Sequence, residues 1–353
     1  MGRERAIRAL KMEPTDKIPS CEVLEHPQIV QSVSEVDPYV DPKRAYVSAA
    51  KKLDIDWLLD LPSRAVRFSG DETTKTLDDG RKLTEWGIGG SEWEDETVFK
   101  SVEDVLSYRP LEDDNGRVRV VSKQYRTNKI AATRENSEIA GENCLLTGLY
   151  YTTLFQFGIM AFGWENFLVA AGSDPDTYSI ILDQFAEISY QNVSEWVKDD
   201  CPIMFFHDDL AITRGLVFKP EWYRKEIFPR YEKIMEPAKQ AGKRIMFVSD
   251  GNYSELIDDI FAIGVDGIMV DCYNDLNAIL KKHGENHPIV GNIDTLILTN
   301  GSYEDIKKEV KRCAEVGKKY PGYFLKAAGD LPHNIPIEKL KYYFDLKAEY
   351  AVR

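Results

Sequence analysis

The feature that most constrains the fold is a short apolar segment that ends in titratable side chains. Residues Ile203 to His207 read Ile-Met-Phe-Phe-His, and Asp208 and Asp209 follow directly. A segment that is apolar on both faces is typical of a buried parallel strand, because a half-exposed strand alternates polar and apolar residues. Polar side chains after the carboxyl end of such a strand are where α/β folds carry their chemistry. A cap on the segment that follows the strand is the alternative role for either aspartate.

The same pattern recurs along the chain. Further strands are predicted at 18–24, 57–61, 144–149, 244–248, 265–270, 288–290 and 323–326. Helical patterns lie between the later strands, at about 220–241, 253–263, 275–283, 303–318 and 337–350. Alternating strands and helices favour a parallel sheet with right-handed crossovers. We therefore predict an α/β fold, a (β/α)8 TIM-type barrel that spans 1–353 as a single domain.

Residues 62–135 are expected to leave the barrel. Residues 74–86 have the pattern of a hairpin with Asp79 and Gly80 at its turn, and 112–135 are charged and predicted to be helical. Insertions at barrel rims commonly shape the substrate pocket. We expect a small antiparallel and helical layer at one rim.

Charge and cysteine content exclude several classes of protein. The net charge of −14 disfavours nonspecific binding to nucleic acid or to an anionic membrane. No apolar run reaches the roughly 18 residues of a membrane span, and the first residues lack the apolar core of a signal peptide. Five cysteines without a Cys-x-x-Cys pair indicate a reducing compartment. A cytoplasmic location is expected, and a homodimer is an open alternative to a monomer.

Several short motifs occur in order along most of the chain. They include Arg-Glu-Arg-Ala-Ile-Arg-Ala-Leu at 3–10, Pro-Thr-Asp-Lys-Ile-Pro at 14–19, Gly-Trp-Glu-Asn-Phe at 163–167, Asp-Asp-Leu at 208–210, Ser-Asp-Gly-Asn at 249–252 and Gly-Asn-Ile-Asp-Thr at 291–295. This ordered set resembles the uroporphyrinogen decarboxylase-like superfamily, which includes true decarboxylases and corrinoid-dependent methyltransferases. The resemblance implies a distorted eight-stranded barrel with its site at the carboxyl ends of the strands.

The segment after the first predicted strand argues against the decarboxylase branch. That branch is expected to carry Arg-Gln-Ala-Gly-Arg-Tyr, whereas residues 20–26 here read Ser-Cys-Glu-Val-Leu-Glu-His. A porphyrinogen with many carboxylates needs cations around it, because an unpaired buried carboxylate costs several kcal/mol. A uroporphyrinogen decarboxylase-type lyase is therefore the second interpretation, and a non-catalytic barrel that binds a small molecule is the third.

The methyltransferase branch is the first interpretation. Members with thiol acceptors carry a zinc-binding His-x-Cys pair at positions that match Val248 and Asp250 here, and valine cannot bind a metal. The resemblance therefore implies an O-demethylase-like enzyme, which moves a methyl group from a small donor, such as a methoxylated aromatic, to the cobalt of a corrinoid. This chain has no Asp-x-His-x-x-Gly corrinoid-binding signature. The corrinoid would arrive on a partner protein.

Methyl transfer from an ether or amine needs an acid or a metal on the departing heteroatom, because that leaving group is strongly basic. Strand alternation places the side chains of His207 and Asp209 on one side and that of Asp208 on the other. The predicted catalytic residues are His207, Asp209 and Asp250. A Zn²⁺ site is one alternative; its candidate ligands are His207, Glu22, Asp250 and Cys272. Without a metal, His207 or a carboxyl group of raised pKa would be the acid.

Other polar side chains near predicted strand ends are candidate substrate ligands. They are Glu22, Tyr150, Asp208, Asn252, Asp294 and His333. Packing is the alternative role for Tyr150. A cap is the alternative role for Asn252 and Asp294. For His207 the alternative is a hydrogen bond to a neighbouring carboxylate.

Overall fold

The structure, a computed structural model, describes residues 2–63, 65, 73–76, 82–85, 92–94, 98–113, 123–147 and 149–353. For 73–76, 82–85, 92–94, 123–129, 149 and 150 the description covers the backbone only. Among the described helices, none by itself has the length and apolarity to cross a membrane. One pair of consecutive helices, Leu154–Phe162 and Trp164–Ser173, has the combined length and composition of a membrane span, but the two helices are bent by 118° relative to each other. Length and composition are the only grounds for this match.

The centre of the molecule is a wall of parallel strands. These are β1 (Cys21–Glu22), β3 (Trp57–Leu58), β7 (Leu145–Leu146), β8 (Leu149–Thr152), β9 (Ile203–His207), β12 (Arg244–Ser249), β13 (Gly267–Val270), β14 (Ile289–Val290) and β15 (Tyr323–Phe324). Strand β7 pairs with β3 and β8 pairs with β9, so these two consecutive pieces supply one position of the wall. The described wall thus has eight positions, β1-β3-β7/β8-β9-β12-β13-β14-β15.

The wall closes where β15 returns to β1. The Leu325 amide donates to the Pro19 carbonyl at 2.9 Å, and the Cys21 amide donates to the Leu325 carbonyl at 3.2 Å. Ser20 and Leu325 form a parallel bridge at the same place. Together with the strand order, this closure confirms the predicted TIM-type barrel.

Two further pairs of short strands lie at the carboxyl ends of the barrel strands. Strand β2 (Leu24–Glu25) pairs in parallel with β16 (Leu331–Pro332). Strands β10 (Ala211–Ile212) and β11 (Gly215–Leu216) form an antiparallel hairpin just after β9. Both pairs follow barrel strands directly, so they form part of the rim around the mouth.

Helices surround the wall. The longer ones are α1 (Gly2–Leu10), α3 (Pro42–Lys52), α5 (Lys123–Ala140), α6 (Leu154–Phe162), α7 (Trp164–Ser173), α8 (Pro175–Trp196), α10 (Phe228–Gln240), α12 (Leu276–His283), α14 (Tyr303–Gly317) and α15 (Ile337–Tyr350). Shorter ones are α2 (Pro27–Val33), α4 (Val102–Ser107), α9 (Pro220–Trp222), α11 (Ile257–Ala262) and α13 (Thr295–Asn300). Helix α14 begins at a capping box of Ser302 and Asp305, as its sequence indicates.

One predicted helix is divided in the structure. The predicted helix at 220–241 consists of α9, a π-helical segment at Tyr223–Ile227, and α10. Pro229 has no backbone N–H and cannot donate to the carbonyl of Lys225, which interrupts the α-helical hydrogen-bond ladder there.

The apolar residues of each strand divide between two layers of the core. Phe205 points into the barrel, where its ring centroid lies 5.6 Å from that of Trp57. Phe206 points outward and packs in the layer between the strands and the helices. Both faces of β9 are therefore buried, as its unbroken apolar run predicts. The same alternation turns His207 toward the interior and Asp208 away from it.

The region predicted to leave the barrel contains a small antiparallel sheet. Strands β4 (Thr73–Thr76), β5 (Lys82–Glu85) and β6 (Glu92–Glu94) pair in that order. The predicted turn at Asp79 and Gly80 lies outside the described residues. The assignment of 62–135 as an excursion within one domain stays a prediction.

Candidate active site

A histidine and two aspartates meet at the carboxyl ends of β9 and β12. His207 Nε2 lies 2.8 Å from Asp209 Oδ1, which also accepts from the backbone N–H of Asp250 at 3.1 Å. Strand β12 is the direct neighbour of β9, with Val248 opposite His207, so Asp250 follows at the same edge. One ligand atom from each of these three side chains lies within 4.8 Å of the other two. The structure thus brings all three predicted catalytic residues together.

A close backbone approach holds the segment that carries Asp250. Gly251 has a φ of +77°, and a Cβ there would lie 2.7 Å from the carbonyl oxygens of Ala211 and Ile212. The backbone N–H of Asn252 donates to the Ile212 carbonyl at 3.0 Å. The side-chain Oδ1 of Asn252 accepts from the Ser254 hydroxyl at 2.8 Å. Glycine is required at 251 because this φ and this contact both exclude a side chain. Asn252 therefore forms part of a turn, and its role in substrate binding stays a prediction.

The three groups change one another's acidity. Burial would lower the pKa of His207, but its hydrogen bond to Asp209 and the nearby carboxylates raise that pKa above its usual value. Burial would raise the pKa of Asp209, whereas the hydrogen bond and charge of His207 hold it below its usual value. Burial and the charge of Asp209 raise the pKa of Asp250 to about 6. These shifts favour an imidazolium next to an ionised Asp209.

Asp208 faces the opposite way. Its side chain is fully buried. Its carboxylate accepts from the Thr153 hydroxyl at 2.8 Å, from the backbone N–H of Phe155 at 2.9 Å and from the backbone N–H of Gln156 at 2.5 Å. The Tyr231 hydroxyl donates to it as well. Asp208 thus fixes the first turn of α6 to the end of β9. These contacts are with an earlier helix and not with the segment that follows β9, so they differ both from the cap considered for Asp208 and from its predicted role in substrate binding.

A cavity of about 260 Å³ opens beside His207 and Asp250. Its apolar wall includes Val23, Leu59, Val248 and Met269. Its described charged lining consists of His207, Asp250, Asp271, Asp330 and Lys326. No arginine belongs to this described lining.

Glu22 was predicted to bind substrate or metal, but it is turned toward α15. The Tyr343 hydroxyl donates to Glu22 Oε1 at 2.6 Å, and the Lys347 ammonium donates to the same oxygen. All three residues are at most 4% exposed. Because an unpaired buried carboxylate is costly, Lys347 is the partner that stabilises the charge of Glu22. The structure does not bring Glu22 to His207 and Asp250.

Cys272 and Asp294 lie near each other at the carboxyl ends of β13 and β14. Burial and the charges of Asp271 and Asp294 raise the pKa of the Cys272 thiol. Cys272 does not belong to the group of ligand atoms formed by His207, Asp209 and Asp250. Asp294 accepts from the Leu296 amide at 2.8 Å and caps α13. Asp294 therefore has the capping role that was its alternative.

Two further predicted site residues, His333 and Tyr150, are not part of the described cavity lining. His333 is half-buried, and burial and nearby His26 lower its pKa. Tyr150 lies in β8 with its backbone opposite Phe205, and its side chain is outside the described structure. Sequence reasoning missed Asp271 and Lys326 as cavity residues. Asp271 follows β13 directly, which was the available signal.

Three findings relate this molecule to known proteins. A family model described as Uroporphyrinogen decarboxylase (URO-D) matches residues 95–350. The Methylcobamide:CoM methyltransferase MtbA of Methanosarcina acetivorans is 32% identical over 98 residues, which are 28% of this chain and 29% of that protein. The solved structure of a methyltransferase from Methanosarcina mazei has a TM-score of 0.68 at 16% identity and covers 99% of this chain and 98% of that one. The structural similarity shows the barrel fold.

Proposed function

Because the chain belongs to the uroporphyrinogen decarboxylase family, we propose that it is a corrinoid-dependent methyltransferase, which moves a methyl group from a small methylated donor to the cobalt of a separate corrinoid protein. The observation that carries this proposal is the group of His207, Asp209 and Asp250 beside a small cavity. The local similarity to a methylcobamide methyltransferase supports methyl transfer over decarboxylation. The described lining offers one lysine and no arginine for a polyanion.

A methoxylated aromatic is the proposed donor class. The support is that Val248 and Asp250 occupy the places of the zinc-binding His-x-Cys pair found in members with thiol acceptors, so the sequence resembles the branch that does not use such acceptors. The cavity volume of about 260 Å³ lies just below the roughly 300–1,000 Å³ of pockets for drug-sized ligands, so a small donor fits it better than a tetrapyrrole.

In this proposal the residues of the chain supply and position a proton. The bond from the methyl carbon to the donor oxygen breaks, its electron pair stays on the oxygen, and that oxygen must be protonated. Asp209 accepts from His207 Nε2 and orients the ring, and its charge favours the protonated imidazole. The imidazolium is then the proton source, a role that typically accounts for about 100- to 10,000-fold in rate. Reduced cobalt of the partner's corrinoid supplies the nucleophile.

The same three side chains also fit a divalent metal. One imidazole nitrogen and two carboxylate oxygens within 4.8 Å of one another have the composition of a catalytic zinc site that keeps one position open. A bound Zn²⁺ would polarise the donor heteroatom as a Lewis acid. His207, Asp209 and Asp250 would hold it. This set shares His207 and Asp250 with the ligands expected from the sequence, and Asp209 replaces Glu22 and Cys272.

The test is incubation of the protein with a reduced corrinoid protein and a panel of methoxylated aromatics, methylamines and uroporphyrinogen. We expect a change in the cobalt spectrum with a methylated donor and no decarboxylation of uroporphyrinogen. Turnover of uroporphyrinogen would favour the lyase, and binding of a donor without transfer would favour the non-catalytic barrel. Metal content measured on the same preparation, with Asp250→Asn for comparison, separates the zinc site from the metal-free acid.

A further inference from the structure

The charged side chains that line the cavity differ in the hydrogen bonds they form with the rest of the protein. Asp271 is satisfied, because its oxygens accept from the Gly251 amide at 2.8 Å and from the Cys272 amide at 2.6 Å. Asp330 has no hydrogen bond or ion pair to another described residue. Its carboxyl group interacts electrostatically with the charges of Lys326 and His207, which line the same cavity.

The lysine of the cavity is turned away from the open space. Lys326 is fully buried, and its ammonium donates to the Ala327 carbonyl at 2.7 Å and to the Gly329 carbonyl. These two carbonyls hold the ammonium within its own loop. Lys326 therefore neutralises part of the negative field but offers little to an anionic ligand.

A second carboxyl group stands beside Asp330. Strand β2 pairs with β16, and the Leu331 amide donates to the Val23 carbonyl at 2.9 Å. The register sets Glu25 opposite Pro332, two residues beyond Asp330 on the paired segment, and burial, followed by the charge of Asp330, raises the pKa of Glu25 to about 7. The part of the rim formed by β2 and the segment before β16 therefore carries two carboxyl groups, whereas Val23, Leu59 and Met269 form an apolar wall of the cavity.

We propose that Asp330 is a specificity-determining residue, and that with Glu25 it selects methyl donors that carry a positive charge, such as a protonated amine on a methoxylated ring, over donors that carry a carboxylate. This inference names the charge of the donor and rests on the proposed function for the identity of the cavity. An ammonium beside Asp330 would gain a partner that the described residues do not supply. A carboxylate there would face Asp330, while the Lys326 ammonium donates to two carbonyls of its own loop and His207 is paired with Asp209, and like-charge contacts of this kind are strongly unfavourable.

A matched pair of ligands tests the charge preference. The compounds 4-methoxybenzylamine and 4-methoxybenzoate have similar shapes and opposite charges, and their binding is measured by calorimetry at about pH 8, where ordinary carboxyl groups are ionised. We expect the amine to bind at least about tenfold more tightly, which corresponds to about 1.4 kcal/mol. Equal or tighter binding of the benzoate, or failure of the amine to bind, overturns the inference.

Two variants test the role of Asp330. Asp330→Asn is expected to reduce the preference for the amine to about threefold or less, since an exposed charge pair contributes up to about 1 kcal/mol. Asp345→Asn removes the same charge from the exposed face of α15 and should leave the preference unchanged. An unchanged preference in Asp330→Asn, or an equal loss in Asp345→Asn, would assign the selectivity to net charge and overturn the role of Asp330.

Methyl transfer separates this inference from the proposed function. With a reduced corrinoid protein, transfer from the benzoate but not from the benzylamine would contradict the charge preference and sustain the methyltransferase. Preferred binding of the amine, without transfer from any donor of the panel, would sustain the charge preference and contradict the methyltransferase.

Discussion

Two carboxylates at the ends of barrel strands have opposite surroundings. Glu22 follows Cys21 in β1 and is closed in by Tyr343 and Lys347, whereas Asp250 follows β12 and borders the open cavity. Both were predicted as metal ligands because each stands at a strand end next to polar residues. The difference teaches that position at a strand end is insufficient. The face of the strand on which a side chain lies decides whether it meets the cavity or an outer helix.

The same rule separates the adjacent residues His207 and Asp208. His207 continues the inward series of Phe205 and is paired with Asp209, while Asp208 lies in the outer layer against α6. One residue of displacement along an extended strand thus exchanges a reactive environment for a structural one. The comparison predicts that substitutions on the inward side change activity and those on the outward side change stability.

The largest expected effect is that of His207→Ala on activity. Loss of a positioned proton donor should reduce methyl transfer at least about 100-fold. The thermal midpoint should stay within a few degrees, because this side chain is partly exposed and is hydrogen-bonded to Asp209 at the cavity rather than to a core residue. Transfer rates to a reduced corrinoid protein and thermal denaturation measure the two effects.

His287→Ala is the matched control for that experiment. His287 precedes β14, stacks on Phe261 with 3.9 Å between ring centroids, and lies away from the cavity lining. Its transfer rate should remain near that of the unmodified protein. A rate above about a tenth of the unmodified rate in His207→Ala would be far more than loss of a positioned proton donor allows. It would contradict the prediction that His207 is the proton donor, and Asp250 would be the next residue to test.

Glu22→Gln should have the next largest effect, and on stability instead. It leaves the buried Lys347 ammonium without its carboxylate, and breaking a buried ion pair typically costs about 3–5 kcal/mol. The shift of the denaturant midpoint measures this loss. Transfer by the fraction that remains folded should be close to that of the unmodified protein.

The double variant Glu22→Gln with Lys347→Met keeps this prediction specific. Removing both charges should recover part of the lost stability, because the uncompensated ammonium is gone. A double variant that is no more stable than Glu22→Gln alone would show that the ion pair is not the cause. Selective loss of transfer in folded Glu22→Gln would return Glu22 to the active site.

Asp208→Asn should destabilise the protein by a smaller amount. The side-chain amide of asparagine has a single acceptor oxygen. It cannot accept from the backbone N–H groups of Phe155 and Gln156 and from the two hydroxyls together, so at least one buried donor loses its partner, which costs about 1–3 kcal/mol of stability. Thermal denaturation measures the loss. Tyr231→Phe removes one donor and should cost less; if it costs more than Asp208→Asn, the carboxylate is not the centre of this network.

The smallest effect is expected at an exposed acidic residue. Asp258 pairs with Lys282 at 2.5 Å and with His283 at 3.1 Å on the surface. Exposed pairs contribute about 0–1 kcal/mol, so Asp258→Asn should barely move the denaturation midpoint or the transfer rate. A loss as large as that of Glu22→Gln would show that burial does not explain the contrast between carboxylates.

The sequence by itself determined the barrel and the center of its candidate site. Unbroken apolar runs such as 203–207 and helical patterns such as 337–350 are local signals, and both elements have those bounds in the structure. Strand alternation also predicted that His207 and Asp209 share a side. These inferences hold because the period of an extended chain and the burial of both faces are properties of adjacent residues.

Only the tertiary structure decided which polar side chains are free to act. Lys347 is 325 residues away from Glu22 in sequence, and Tyr231 is 23 residues away from Asp208, so no local pattern shows either contact. The same applies to the neighbours of Asp330, which depend on the pairing of β2 with β16. A carboxylate becomes structural or reactive according to the donors that surround it after folding, and those donors come from distant elements that pack against its side of the strand.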